Sequence, residues 1–235
     1  MITKRQKQIL EGVVQEYIKE AQPVSSQLIE KRCRLGICPA TVRIEMQKLT
    51  DRGYLFQPHT SAGRVPTDKG YRLFVDDLLE KEISKISDLL EEELKEILGE
   101  SDTFKWASRL TKFISKTSSA FVVSSLFEED FLFKEGWEEV LKEPEFEDKG
   151  LTLDFAKLLE GFEKNIQELE PNSRTKIFIG QESSLEGAKD FSIILTKCLF
   201  PEKKEGVISI LGPKRMPYQK NISLLNSIIK MLEEC

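Results

Sequence analysis

The stretch that most restricts the fold is residues 57–72, QPHTSAGRVPTDKGYR. Two prolines, two glycines, the chain's only histidine and three further basic residues fall within these sixteen positions. Pro and Gly interrupt regular structure and small polar residues favour turns, so the segment is expected to be a loop. Short apolar runs, YLFQ before it and RVPT within it, read as two strands with PHTSAG as the tip between them. A hairpin this basic is a solvated connection, a catalytic loop, or a finger that touches something anionic.

What precedes it narrows the choice. Residues 1–23 carry a capping-box pair, Thr3 and Gln6, then Ile9, Leu10, Val13, Val14, Tyr17 and Ile18 at helical spacing, and Pro23 beyond the end. A second helix starts at Ser25 or Ser26, buries Leu28 and Ile29, and is expected to stop at Gly36. A third opens with Pro39 at its first position and stops at Gly53, with Cys38 where a capping residue is usual. Two short helices across a glycine turn, followed by a hairpin, match a winged helix-turn-helix.

At about 100° per residue, Val42, Met46 and Leu49 share one side of the third helix and should pack inward. Ala40, Thr41, Arg43, Ile44, Gln47 and Lys48 spread over the other side. In a DNA reader that outer side enters the major groove, where Arg43 suits a guanine and Gln47 an adenine. Ile44 either touches a thymine methyl group or packs under the wing. The wing would carry His59, Thr60, Ser61 and Arg64 to phosphates or into the minor groove. Ser26, at the start of the second helix, joins this candidate set. The competing reading is an ordinary three-helix core with a solvated third helix.

Charge supports the first reading. Residues 1–72 hold 13 Lys/Arg and 7 Asp/Glu, a net of +6, whereas residues 73–235 hold 22 and 33, a net of −11. A basic head on an acidic body directs a polyanion to the head alone.

PVSSQLIEKRC, PATVRIEMQKL and above all GYLFQPHTSAGRVPTDKGYRLFVDDLL resemble the bacterial heat-inducible transcription repressors of the HrcA family. The resemblance implies an N-terminal winged helix that binds an inverted-repeat operator upstream of chaperone operons. It also implies a homodimer whose activity depends on the chaperonin system. It makes Thr41, Arg43, Gln47 and the wing residues His59 to Arg64 the DNA-facing set. Where the family usually has Asn, this chain has Ile44; if that side chain touches DNA, the operator is expected to differ from the family's usual one at the matching base pair.

The stripe Leu79, Ile83, Ile86, Leu90, Leu94, Ile97 is expected to lie on one helix across residues 73–98, within a linker segment 73–103. It serves either as a seam between two subunits or as a docked helix of its own domain. Residues 104–235 read as α+β, with strands in SAFVVSSLF, TKIFIG, FSIILTKCLF and GVISILG and helices in TFKWASRLTKFISK, LDFAKLLEGFEKNIQEL and QKNISLLNSIIKMLEE. IFIGQES and ILGPKRMPYQKNISLLNSIIKMLEE resemble the family's GAF-like regulatory domain. Family members are usually longer, with an inserted domain for which this chain has no room after Phe127. The expected organisation is therefore a winged helix over 1–72, a linker or dimerisation helix over 73–103, and a shortened GAF-like α+β domain over 104–235.

Other classes fare worse. With one His in a basic loop, no hydrolytic triad or histidine metal site can be assembled, and no phosphate-binding glycine motif occurs. The chain is not expected to be an enzyme and implies no cofactor or metal. Cys33, Cys38, Cys198 and Cys235 form no Cys-x-x-Cys pair and read as reduced thiols. No apolar run approaches the ~18–20 residues of a membrane span, so a cytoplasmic protein without a membrane partner is expected. The alternative function is a winged-helix regulator controlled by a small molecule in the GAF-like domain.

Overall fold

A computed structural model of the chain describes residues 2–81, 86–127, 131–169 and 174–234. The chain divides into two compact units, Met1–Glu82 and Ile83–Cys235.

In the N-terminal unit the first helix, α1 (Lys4–Glu20), starts where local chemistry dictates. Thr3 Oγ1 accepts from the Gln6 amide at 3.2 Å and Gln6 Oε1 accepts from the Thr3 amide at 3.1 Å. This satisfies two donors a helix start otherwise leaves open. Ser25, not Ser26, caps α2 (Ser26–Cys33), its Oγ accepting from Leu28 N at 3.2 Å. That helix ends at Arg34, left-handed at φ 44°, two residues before the expected Gly36. The third, α3 (Pro39–Asp51), buries Val42, Met46 and Leu49 against α1 and α2.

Strands β1 (Leu55–Phe56) and β2 (Val65–Pro66) pair antiparallel, with Leu55 opposite Pro66 and Phe56 opposite Val65. A third piece of extended chain joins them. Val24 and Arg64 exchange both backbone hydrogen bonds, at 2.9 and 2.8 Å. Gly63 permits this contact: a Cβ there would sit 2.4 Å from the Val24 carbonyl oxygen. Helix α4 (Asp68–Glu80), capped by Thr67, then closes the unit's core with Tyr71, Phe74, Val75 and Leu78.

The apolar stripe over 73–98 does not lie on one helix. Helix α4 ends at Glu80, where Lys81 turns extended (φ −88°, ψ 145°), and α5 starts at Asp88 (Asp88–Leu98). The two helices bury their apolar faces in different cores. Leu78 belongs to the N-terminal unit, whereas Leu94 and Ile97 belong to the C-terminal unit, where α5 packs on the helices over Thr103–Ser118 and Tyr218–Glu234. Leu79 is exposed, and Ile83 lies outside the described residues. Among the described residues, only the α5 part of the stripe is buried, through Leu94 and Ile97; α4 buries Tyr71, Phe74, Val75 and Leu78, none of which belongs to the stripe. The division between units accordingly lies after residue 82, not after 72, and among the described residues no single helix runs the length of 73–103.

The C-terminal unit mixes helix and sheet, as α+β predicts. Its five antiparallel strands run in the order β4-β3-β7-β6-β5, with β3 Phe121–Leu126, β4 Phe131–Glu135, β5 Thr175–Ile179, β6 Phe191–Leu199 and β7 Glu205–Pro213. The expected strands are present, and β4 is an addition. One face of the sheet packs on α8 (Lys149–Asn165) through Phe155, Leu158, Leu159 and Phe162. Helices α6 (Thr103–Ser118) and α9 (Tyr218–Glu234) pack on the sheet through two buried hydroxyl bridges. Thr111 Oγ1 lies 2.7 Å from Ser124 Oγ, and Ser192 Oγ lies 2.6 Å from the Tyr218 hydroxyl. A short helix, α7 (Trp137–Val140), follows β4. Among the described residues no helix is long and apolar enough to cross a membrane.

Candidate nucleic-acid interface

Helix α3 presents its outer side as its periodicity dictates. Ala40, Arg43, Ile44, Gln47 and Lys48 are exposed and Thr41 is half-buried. Ile44 is 56% exposed, which settles its two readings in favour of an outward side chain. The residues differ in how free they are. Arg43 makes no side-chain hydrogen bond or ion pair among the described residues. Lys48 Nζ is paired with Glu45 at 2.7 Å, and Glu45 also accepts from Gln6 Nε2 at 2.7 Å, which ties this face of α3 back to α1. Both contacts hold the Glu45 carboxyl below its ordinary pKa, that of Lys48 foremost.

Gln47 is occupied at both ends. Its Oε1 accepts from Arg64 Nη2 at 2.8 Å and its Nε2 donates to Asp51 Oδ1 at 2.8 Å. Each end keeps one further position, a lone pair on Oε1 and a hydrogen on Nε2, so a two-point contact with adenine would have to be made alongside these two bonds, which fix the orientation of the amide.

Arg64 departs furthest from its expected place. It is not at the tip but on the strand leaving it, only 8% exposed. Its Nε donates to Thr50 Oγ1 at 3.1 Å while Nη2 holds Gln47. Burial pulls its pKa down, and the like charge of Arg43 pulls the same way. A cation withdrawn from water needs partners, and here they are two side chains of α3. Arg64 thus bolts the hairpin to the helix.

The tip itself carries His59, Thr60 and Ser61, all exposed. Gln57 staples it from beneath, with Nε2 donating to the carbonyls of Thr60 and Ala62, both at 2.9 Å. The Ala62 amide closes on His59 O at 2.8 Å, and His59 Nδ1 lies 3.1 Å from Ser61 Oγ. Sequence reasoning missed Gln57 and Thr50. A Gln directly before Pro58 is the only local hint for the first, and nothing local signals the second.

Ser26 is half-buried on the first turn of α2, near the tip. Cys38 stands at the α3 N-cap without a capping bond, but its Sγ is 3.3 Å from Thr41 Oγ1. That hydroxyl lowers the thiol's pKa, helped by backbone amides at the helix start.

Residues 67–222 match the family described as HrcA protein C terminal domain. The heat-inducible transcription repressor HrcA of Brevibacillus brevis is 27% identical to this chain, the match covering 99% of it and 97% of the relative. The repressor of the same name from Thermoanaerobacter pseudethanolicus is also 27% identical, over 97% of this chain and 95% of the relative. The alignment with the first runs over 332 positions against 235 residues here, so that relative carries a long stretch without counterpart in this chain. A 78-residue stretch, 33% of the chain, is 54% identical to the repressor of Streptomyces albus G. Among solved structures, one described only as a hypothetical protein superposes with a TM-score of 0.84, covering 100% of this chain and 98% of its own, at 20% identity. That likeness concerns the fold.

Proposed function

This chain belongs to the HrcA family, and from that premise we propose that it is a DNA-binding repressor of heat-shock chaperone genes that acts as a dimer on an inverted-repeat operator. In this reading the N-terminal unit is a winged helix-turn-helix, with α3 as the recognition helix and the hairpin as the wing. The C-terminal unit is a shortened GAF-like regulatory domain.

The observation that carries the reading is the outer side of α3. Ala40, Arg43 and Ile44 project there without internal partners, beside a hairpin tip pre-organised by Gln57 and locked to the helix by Arg64. Holding reading groups in place before binding lowers the entropic cost of ordering them on DNA. The net +6 of residues 1–72 supplies the attraction to phosphates. One such head contacts too few phosphates for tight, specific binding at cellular salt, which is why two are needed. Heat releases the repressor when the body no longer holds two heads at operator spacing, with the chaperonin as the partner implied by the family.

The test is fluorescence anisotropy of the full chain with the family's inverted repeat, a half-site and a scrambled duplex across a salt series. Strong preference for the full repeat with a steep salt slope is expected. Equal, weak binding to all three defeats the reading.

One observation favours a second reading. The C-terminal unit has a pocket of about 280 Å³ lined by the apolar Phe127, Leu199, Ile229 and Leu232 and by charged side chains, Lys197, Glu205 and the Arg174–Glu233 ion pair. A metabolite bound there would control the same DNA-binding head. Thermal-shift screening of the full chain distinguishes the two, since only the second requires a stabilising small molecule.

A further inference from the structure

The hairpin tip, the start of α2 and the outer side of α3 enclose a cleft of about 330 Å³. Its walls include the hydroxyl-bearing residues Ser25, Ser26 and Ser61, the two arginines Arg43 and Arg64, and Met46; no carboxylate lines it. The donors there are not exhausted. Ser25 Oγ accepts the capping bond from Leu28 N, which leaves its own O–H to donate. Arg64 uses Nε and Nη2 internally, two of a guanidinium's five N–H donors being thereby engaged. Arg43 is uncommitted. Arg43 also disfavours the charge of Arg64, its field adding to burial in lowering the pKa of Arg64. Two guanidiniums and three hydroxyls around one cleft, with no anion of the protein's own among the walls, form an environment that a tetrahedral oxyanion relieves.

We infer that this cleft seats a phosphate group, and that Arg43 is a phosphate ligand and not a reader of base edges. For the source of that phosphate the inference rests on the DNA-binding reading: it is a backbone phosphodiester, held between α2 and the hairpin while α3 lies in the groove. A guanidinium turned into this cleft is turned away from guanine O6 and N7. Discrimination between sequences then falls to Ala40, Thr41 and Ile44, while Arg43 sets register and overall affinity. A free phosphate or a phosphorylated small molecule shares the same chemistry, and the experiment separates these sources.

The full chain and its Arg43→Ala variant are compared on operator duplexes in which single phosphates are replaced, one at a time, by neutral methylphosphonates. Arg43 is exposed, so the variant is expected to fold, and circular dichroism verifies this. One position in each half-site is expected to weaken binding of the parent protein and to have no further effect on the variant. The variant is also expected to weaken operator and scrambled duplex by the same factor, with the salt slope reduced by about one per half-site. Loss on the operator alone, with scrambled binding and salt slope unchanged, makes Arg43 a base reader and overturns the inference. In parallel, inorganic phosphate is titrated at constant ionic strength while the Ser26 and Ser61 amides are followed by NMR. Saturable shifts in the parent, absent from Arg43→Ala, support the cleft. If they occur in a protein that binds no duplex, the cleft stands with a free phosphate source and the DNA reading falls; if neither ligand binds, both fall.

Discussion

Arg64 Nη2 donates to Gln47 Oε1 at 2.8 Å, joining the strand that leaves the hairpin tip to the outer side of α3 across seventeen positions of sequence. With the parallel bond from Nε to Thr50, this ties the strand leaving the tip to α3 at two points. Replacing Arg64 by Ala strands Gln47 and Thr50 and unfastens the hairpin, for an expected loss of about 1–3 kcal/mol. Urea unfolding of the N-terminal unit measures it. Arg64→Lys is not expected to restore the loss, because an ammonium lacks the fork that reaches both partners.

Gly63→Ala brings a methyl group against the Val24 carbonyl, which sits 2.4 Å from the position the new Cβ would take. The hairpin must move away from α2, at a cost of about 1–3 kcal/mol. A lowered melting temperature together with weakened duplex binding is the expected pair of readouts. An unchanged melting temperature contradicts the close approach.

Ile44 is 56% exposed and packs in no core, so Ile44→Asn is expected to change stability by no more than about 0.5 kcal/mol. Its effect should fall on which operator is preferred. Anisotropy with duplexes varied at single base pairs of the half-site detects this as a changed rank order; an unchanged order removes Ile44 from the reading surface.

Glu45 accepts from Lys48 and Gln6 and titrates below its ordinary range. Its folded pKa lies below its unfolded one, so its contribution is present above the unfolded value of about 4.3 and is lost as pH falls through the folded value. Glu45→Gln is therefore expected to flatten the decline in stability on acidification below about pH 5, with urea midpoints across the acid range as the measure.

The cysteines should label in a fixed order. Cys38 is exposed with its pKa lowered, first by the Thr41 hydroxyl; Cys33 is half-buried with its pKa raised, and Cys198 is buried with its pKa pushed far up, both mainly by burial. Thiolate is the reacting form, so among the three described cysteines a maleimide should modify Cys38 first and Cys198 last in the folded protein. Peptide mapping by mass spectrometry reads the order. Thr41→Val should slow the labelling of Cys38.

Much of the fold and part of the candidate site were legible in the residues. The capping box at Thr3, the inward triplet Val42, Met46, Leu49, and the outward Arg43 and Ile44 depend on helical period and on hydrogen bonds spanning three residues. Such signals are local, so they survive in the sequence. Strand β4 was not foreseen: it lies at the edge of the sheet, its residues are largely unburied, and its pattern alternates weakly. The stripe from Leu79 to Ile97 misled for the opposite reason. Its spacing continues across the break after Glu80, yet Leu79 is exposed and only Leu94 and Ile97 are buried, and periodicity carries no record of where a helix stops or which side is covered.

By itself, then, the sequence determined the helices of the head, the presence of a hairpin, the basic charge of residues 1–72 and the identity of the outward side of α3. Tertiary structure alone decided that Arg64 is buried, that Gln47 is spoken for at both ends, and that Arg43 shares a cleft with the start of α2. Those outcomes depend on hydrogen bonds and close contacts between residues far apart in the chain, such as Gly63 against Val24 and Arg64 against Thr50. An arginine in a basic loop looks the same in sequence whether it points to water or back into the fold; only packing, which decides where a charge can find partners, separates the two.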